Sequence, residues 1–254
     1  MILENNPTKA KHRLSLLLFI LLGIIVFLIA SPFFFFFGIL GQFSLTFLNI
    51  FYFVLRSAIS IYISLSGISF DLLDLEELNK LKGQKVVLMA NHRSHLDMFI
   101  FLANVFSLRA AANSYIFRVP VLGLIMRLSK HFEMEKGDVE KLEKAKLEIS
   151  SAIKYKHRVL FFPEMTRCPL NFQGIQKFRL IPFQLARDEG VKIVPIVLYG
   201  TDKVWPRGTS AMFTENKLKV KALKPIDTSE FRTSMELSKY TKRVMEESLM
   251  ELQK

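Results

Sequence analysis

One cysteine stands among 254 residues, so Cys168 has no partner within the chain and a disulfide framework is excluded. The five histidines and this single cysteine show no ligand spacing, so no metal site is expected. Nine prolines and eleven glycines are few for such a length, and no low-complexity linker or internal repeat appears. Half the residues are apolar, so disorder is excluded. Acidic residues are in the minority, 23 against 35 Lys and Arg, and the formal charge is +12. An excess of that size calls for an anionic partner, nucleic acid or membrane surface. Zinc-finger spacing, RNA-binding signatures and basic heptads are missing, which speaks against nucleic acid. Charge itself is missing from residues 14–55, a run of 42 residues with no charged side chain and no histidine.

A spanning helix takes about 20 apolar residues. The run therefore holds two short spans, or one long span with an interfacial helix. Pro32 lies near its middle, where proline is expected to break or kink a helix. The second half carries Gly38, Gly41, Gln42, Ser44, Thr46 and Asn49, and is expected to lie in the interface or pack on the first. Lys9, Lys11 and Arg13 precede the run as a cleaved signal peptide would have it, but the run far exceeds a hydrophobic region of about 7–15 residues. Basic residues at the start predict a cytoplasmic N-terminus. A re-entrant hairpin over residues 1–56 then returns residues 57–254 to the cytoplasmic face as one domain. That domain retains +9 of the charge, suited to anionic headgroups.

Beyond residue 56, strand and helix patterns alternate. Residues 62–66 alternate polar and apolar and predict an edge strand. Residues 72–81 predict a short helix, and 95–107 a longer one. Compact apolar runs at 85–90, 158–162 and 192–199 predict buried strands, and 217–223 alternates as a fourth. Leu142, Ala145, Ile149 and Ile153 recur at helical spacing. Pro182 and Gly190 bracket a short helix, and residues 235–254 form an amphipathic one. The pattern predicts an α/β domain with a mostly parallel sheet flanked by helices, carrying an N-terminal hydrophobic helix pair. In such sheets sites form beyond the carboxyl ends of strands.

Two polar clusters fall at those ends. The first is Asn91-His92-Arg93-Ser94-His95-Leu96-Asp97 and the second Phe162-Pro163-Glu164-Met165-Thr166-Arg167. Ser94-x-x-Asp97 before an apolar run is a capping-box pattern, predicting a helix that begins just after Ser94. Its positive end favours the neutral imidazole that a general base requires at His92. Asp97, in the first turn, is within reach of that ring, the arrangement of a His–Asp pair. On these residues alone, a capping aspartate beside a loop histidine explains the pattern as well.

Together the clusters resemble the signature motifs of the glycerolipid acyltransferases of lysophosphatidic acid acyltransferase type. Asn91, His92, Ser94 and Asp97 fit the first motif, and Phe162, Pro163, Glu164, Thr166 and Arg167 fit the third. Pro120 and Gly123 fit the second motif and residues 194–196 the fourth, so the resemblance spans roughly residues 60–225. It implies a membrane-bound enzyme that moves an acyl chain from a thioester, acyl-CoA or acyl-carrier protein, to the free hydroxyl of a lysophospholipid. The foremost candidate acceptor is 1-acylglycerol-3-phosphate, giving phosphatidic acid. His92 and Asp97 would be catalytic. Glu164, Thr166, Arg167, Lys136, Asn91 and Ser94 would bind substrate, with Arg167 on the acceptor phosphate. No cofactor, metal or nucleic acid is implied, and Cys168 is not expected as a nucleophile. Three departures stand out: Met165 replaces a glycine and denies its conformational freedom, Lys136 replaces an arginine, and Ser114 stands where a lysine is usual. They leave open another lyso-acceptor, a lysophospholipid of a different headgroup or a lyso-ornithine lipid. A catalytically silent membrane tether on the same scaffold is the reading from a different class.

Overall fold

The computed structural model describes residues 7–74, 78, 81, 83–135 and 137–254. Two long helices, α1 (Pro7–Leu40) and α2 (Leu45–Leu65), lead into the sheet. The strands are β1 (Phe70–Leu73), β2 (Val86–Ala90), β3 (Leu108–Asn113), β4 (Phe132–Met134), β5 (Arg158–Phe161), β6 (Lys192–Tyr199) and β7 (Leu218–Ala222). Between them run α3 (Leu96–Asn104), α4 (Ser114–Arg118), α5 (Leu122–Leu128), α6 (Val139–Lys154), α7 (Ile181–Asp188) and α8 (Thr201–Val204), and α9 (Ser234–Gln253) closes the chain. Sheet order is β1-β7-β6-β2-β5-β3-β4, parallel except where β6 meets β7.

β2 is central and buried along its whole length, which its unbroken apolar run requires. Val87 and Met89 face one layer, with Ile149 of α6, Phe183 of α7 and Leu237 of α9. Val86, Leu88 and Ala90 face the other, with Leu96 and Ile100 of α3 and Phe19 and Tyr62 of the helix pair. The period-two alternation of a strand thus divides one apolar run between two cores.

Several expectations are corrected. Residues 62–65 belong to α2, not to an edge strand; the helix continues past Arg56 because Tyr62 and Ile63 pack inward. Leu72 and Leu73 lie in β1, pairing with Val220 and Lys221, and residues 75–77, 79 and 80 of the expected helix lie outside the described residues. β3 and β4 were not expected. β3 reads LRAAAN, a good helix composition, and is extended because β5 on one side and β4 on the other complete its backbone bonds.

Pro32 does not break α1. Its missing N–H leaves the Leu28 carbonyl free, and the Ser31 hydroxyl donates to that carbonyl at 3.0 Å. The chain turns instead at residues 41–44, where a Cβ on Gly41 would lie 2.9 Å from Leu48 Cα. α2 packs on α1 and also on the domain: the Tyr62 hydroxyl donates to Phe19 O (3.0 Å), and Arg56 Nε and Ser60 Oγ both donate to Ala103 O (3.1 Å). The opposite side of the pair is apolar and exposed, including Ile29, Phe33, Phe36, Phe53 and Ile61. Both helices are long and apolar enough to cross a membrane.

Candidate active site

Parallel pairing of β2 with β5, Met89 opposite Phe161, sets residues 91–97 beside residues 162–168. The His92 ring stacks on the Phe162 ring, centroids 4.2 Å apart. Its Nδ1 lies 2.8 Å from Asp97 Oδ2. The same oxygen accepts the backbone N–H of Arg93 (2.7 Å) and of Ser94 (2.9 Å). Asp97 is fully buried, so its charge rests on these three donors. With Nδ1–H donating to a carboxylate, Nε2 carries the free lone pair of a neutral imidazole.

The expected capping box forms in part. Asp97 reaches back to Ser94 N, but the helix begins one residue later than predicted, at Leu96. The Ser94 hydroxyl donates to Trp205 O (2.8 Å) and accepts from Leu96 N (3.3 Å), so it ties the loop after β2 to the loop after β6.

The second cluster braces the first. Glu164 Oε1 accepts His92 N–H (2.8 Å), and Cys168 N donates to His92 O (2.8 Å), so both backbone groups of His92 are held. Glu164 Oε2 accepts Gln176 N (2.9 Å) and Gln176 Nε2 (3.1 Å). Burial raises the Glu164 carboxyl above its ordinary range, against the pull of these N–H donors. Asn91 is likewise engaged by the chain: its amide donates to Leu198 O (2.9 Å) and accepts Leu198 N–H (2.7 Å), clamping β2 to β6. Glu164, Asn91 and Ser94 thus spend their polar atoms on the chain. Thr166 is exposed, and Arg167 is half-buried with no carboxylate paired to it among the described residues. Arg207 donates to Arg167 O (2.9 Å) and to Thr166 Oγ1 (3.4 Å). Lys136 lies outside the described residues. Burial pushes the Cys168 thiol up to about 11, so it is a thiol near neutral pH, not a nucleophilic thiolate.

Sequence reading missed the pair that holds this edge together. Arg93 Nε and Nη2 each donate to an oxygen of Asp202 at 2.8 Å, and the same guanidinium donates to Phe172 O (3.1 Å) and Gly174 O (3.3 Å). Beside it opens a cavity of about 650 Å³, lined by Cys168, Phe172, Tyr199, Lys203 and Arg207 among others. Where a lysine was expected, the Ser114 hydroxyl accepts from Lys141 Nζ (3.2 Å), which also meets Glu133 (3.0 Å) and Glu135 (2.8 Å). In the second motif Gly123 has no alternative: a Cβ there would lie 2.0 Å from Phe117 O.

Met165 adopts φ +56°, the left-handed backbone that favours glycine. The expectation that methionine would deny this geometry is therefore corrected; the methionine takes it under strain. Met165→Gly is expected to raise stability by up to about 1 kcal/mol, the strain relieved less glycine's extra unfolded-state entropy, and so to raise the unfolding midpoint. Met165→Val, whose branched Cβ is worse there, should lower it. Thermal melts of both variants check the signs, and a midpoint lowered by Met165→Gly would contradict the strain.

The fold and the paired strand-end loops define an α/β protein with a histidine–aspartate pair at the carboxyl ends of its central strands. The chain belongs to the Acyltransferase family, whose model matches residues 73–199. It is similar to the chloroplastic 1-acyl-sn-glycerol-3-phosphate acyltransferase of Arabidopsis thaliana, 28% identical over 172 residues, 67% of this chain and 48% of that one. It is 27% identical to the 1-acyl-sn-glycerol-3-phosphate acyltransferase of Saccharomyces cerevisiae over 165 residues, 63% of this chain and 53% of that one. The chain spans about half the length of these curated relatives. Its fold matches the crystal structure of the 1-acyl-sn-glycerophosphate acyltransferase PlsC of Thermotoga maritima, with TM-score 0.82, 20% identity, and 96% and 97% of the two chains covered.

Proposed function

We propose that this chain transfers a fatty acyl group from a thioester to the free hydroxyl of 1-acylglycerol-3-phosphate, giving phosphatidic acid. The observation that carries the reading is His92 Nδ1 held 2.8 Å from buried Asp97, which presents Nε2 as a base. The acceptor hydroxyl gives its proton to Nε2 while its oxygen attacks the thioester carbonyl carbon. The carbon–sulfur bond then breaks, and the imidazolium returns the proton to the leaving thiolate. Asp97 stabilises the imidazolium formed in between. No acyl-enzyme is needed.

Arg167, with no carboxylate paired to it among the described residues, is the acceptor-phosphate residue in this reading, with Thr166 beside it. Glu164, Asn91 and Ser94 act as positioning residues for the two loops rather than as substrate ligands. Lys136 retains the proposed role of a substrate-binding cation. The cavity with Lys203 and Arg207 suits the phosphorylated arm of coenzyme A or an acyl-carrier protein. The exposed apolar side of α1 and α2 supports membrane association as a hairpin, and the basic N-terminus supports a catalytic domain on the cytoplasmic face.

Steady-state kinetics across a panel of lyso-acceptors and both donor types test the assignment. Arg167→Ala should raise acceptor KM about 10-fold or more, the worth of a charged hydrogen bond. Lys203→Ala, in the cavity and away from Arg167, should raise donor KM instead. Equal loss with a phosphate-free acceptor, or preference for a lyso-ornithine lipid, would overturn the phosphate role.

A further inference from the structure

A second polar cluster lies at the opposite, amino-terminal edge of the sheet, between the helix pair and the start of β3. Arg109 is 8% exposed, and a guanidinium keeps its charge at any ordinary pH. Its Nε donates to the Tyr52 hydroxyl of α2 (2.9 Å) and its Nη2 to His157 Nε2 (2.8 Å). The Tyr52 hydroxyl donates to Ser129 O (2.8 Å), and His157 Nδ1 meets the Ser107 hydroxyl (2.5 Å). Every partner is neutral. Among the described residues no carboxylate pairs with Arg109.

The neighbours increase the imbalance. Lys130 is half-buried, and burial followed by the Arg109 charge lowers its proton affinity. His157 is pushed down to about 4 by burial, then by Arg109 and Lys130. His131, which accepts Ala110 N–H at 2.7 Å, is also held near about 4, chiefly by burial. Both imidazoles are neutral, so two cations share a partly dry site with no counter-charge among the described residues. Buried charges are ordinarily paired.

The surroundings indicate where the counter-charge comes from. Tyr52 is on α2, next in sequence to Phe53, which is 64% exposed on the apolar outer side. Phe106, 41% exposed, borders the cluster, its ring 6.3 Å from that of Tyr52. Aromatic side chains beside cations, continuous with an apolar surface, are the arrangement found at headgroup level. We infer that Arg109 and Lys130 bind the phosphate of an anionic membrane lipid whose chains lie along the helix pair, a site separate from the one that holds His92. The lipid would join hairpin to domain through one phosphate. The inference rests on the membrane placement of the hairpin and not on the acyl-transfer chemistry.

The test uses the full chain in neutral detergent, following the unfolding midpoint as dioctanoyl phosphatidylglycerol, dioctanoyl phosphatidylcholine or inorganic phosphate is added. Phosphatidylglycerol should act at roughly ten-fold lower concentration than phosphatidylcholine. Lys130→Gln should remove about five-fold of that preference, and Lys130→Arg should keep it. Arg167→Ala should leave the preference intact, because the sites lie at opposite sheet edges. Equal response to both lipids, an unchanged preference in Lys130→Gln, or a matching shift from inorganic phosphate alone would each overturn the inference. Co-sedimentation of the wild type with phosphatidylcholine vesicles reads the membrane placement separately.

Discussion

Alanine at position 92 is expected to lower kcat/KM for acyl transfer by about 10²–10⁴-fold while the fold survives. The separation of the two effects follows from how His92 is held. Its backbone N–H and carbonyl bond to Glu164 and Cys168, and neither bond involves the ring. The side chain is 20% exposed, so its stack on Phe162 contributes only modestly to stability. What is lost is the proton acceptor, and the loss should fall on kcat with acceptor KM nearly unchanged. Asp97→Asn should act in the same direction, because the uncharged amide no longer stabilises an imidazolium. It should also cost stability, since its amide group would take the place of Oδ1, which has no partner among the described residues. Equal incorporation of labelled acyl chain by wild type and His92→Ala would end the enzymatic reading and favour a silent tether.

The second large effect is on stability. Asp202→Ala should destabilise the chain by about 3–5 kcal/mol, because it leaves the Arg93 guanidinium buried without a counter-charge. Arg93 is 5% exposed and Asp202 22%, so solvent screens the pair little. Activity should fall with stability. Arg93 also anchors Phe172 and Gly174, and the nearby Gln176 meets Glu164, which holds His92. The double variant Arg93→Met with Asp202→Leu should recover much of the stability, since an apolar pair leaves no charge unpaired. Thermal unfolding of the single and double variants decides it. A double variant no more stable than Asp202→Ala would mean that the lost Phe172 and Gly174 contacts cost as much as the unpaired charge.

The legible parts of the fold were those that local pattern controls. Strands β2, β5 and β6 stood out because a strand buried on both faces has no polar positions. β3 did not, because its alanines carry no strand preference and its neighbours in the sheet are 20 or more residues away. Residues 62–65 alternate by chance within a helix whose other contacts are remote. In the site, His92 and Asp97 were legible because the pair closes within one loop and one helical turn. Glu164 was expected to bind substrate; its oxygens meet the backbone N–H groups of His92 and Gln176, which no side-chain pattern reveals. Arg167 was read as free to meet a substrate, and no carboxylate of the described chain claims it.

By itself the sequence determined the α/β class, the uncharged helix pair and the two loops that form the candidate site. Each depends on hydrophobic period or on residues a few positions apart. Only the tertiary structure decided which polar groups remain free. Asp202 meets Arg93 across 109 positions, Lys141 meets Ser114 across 27, and Tyr52 meets Arg109 across 57. A buried charge takes whatever partner folding brings within about 3 Å, and chain distance carries no information about that.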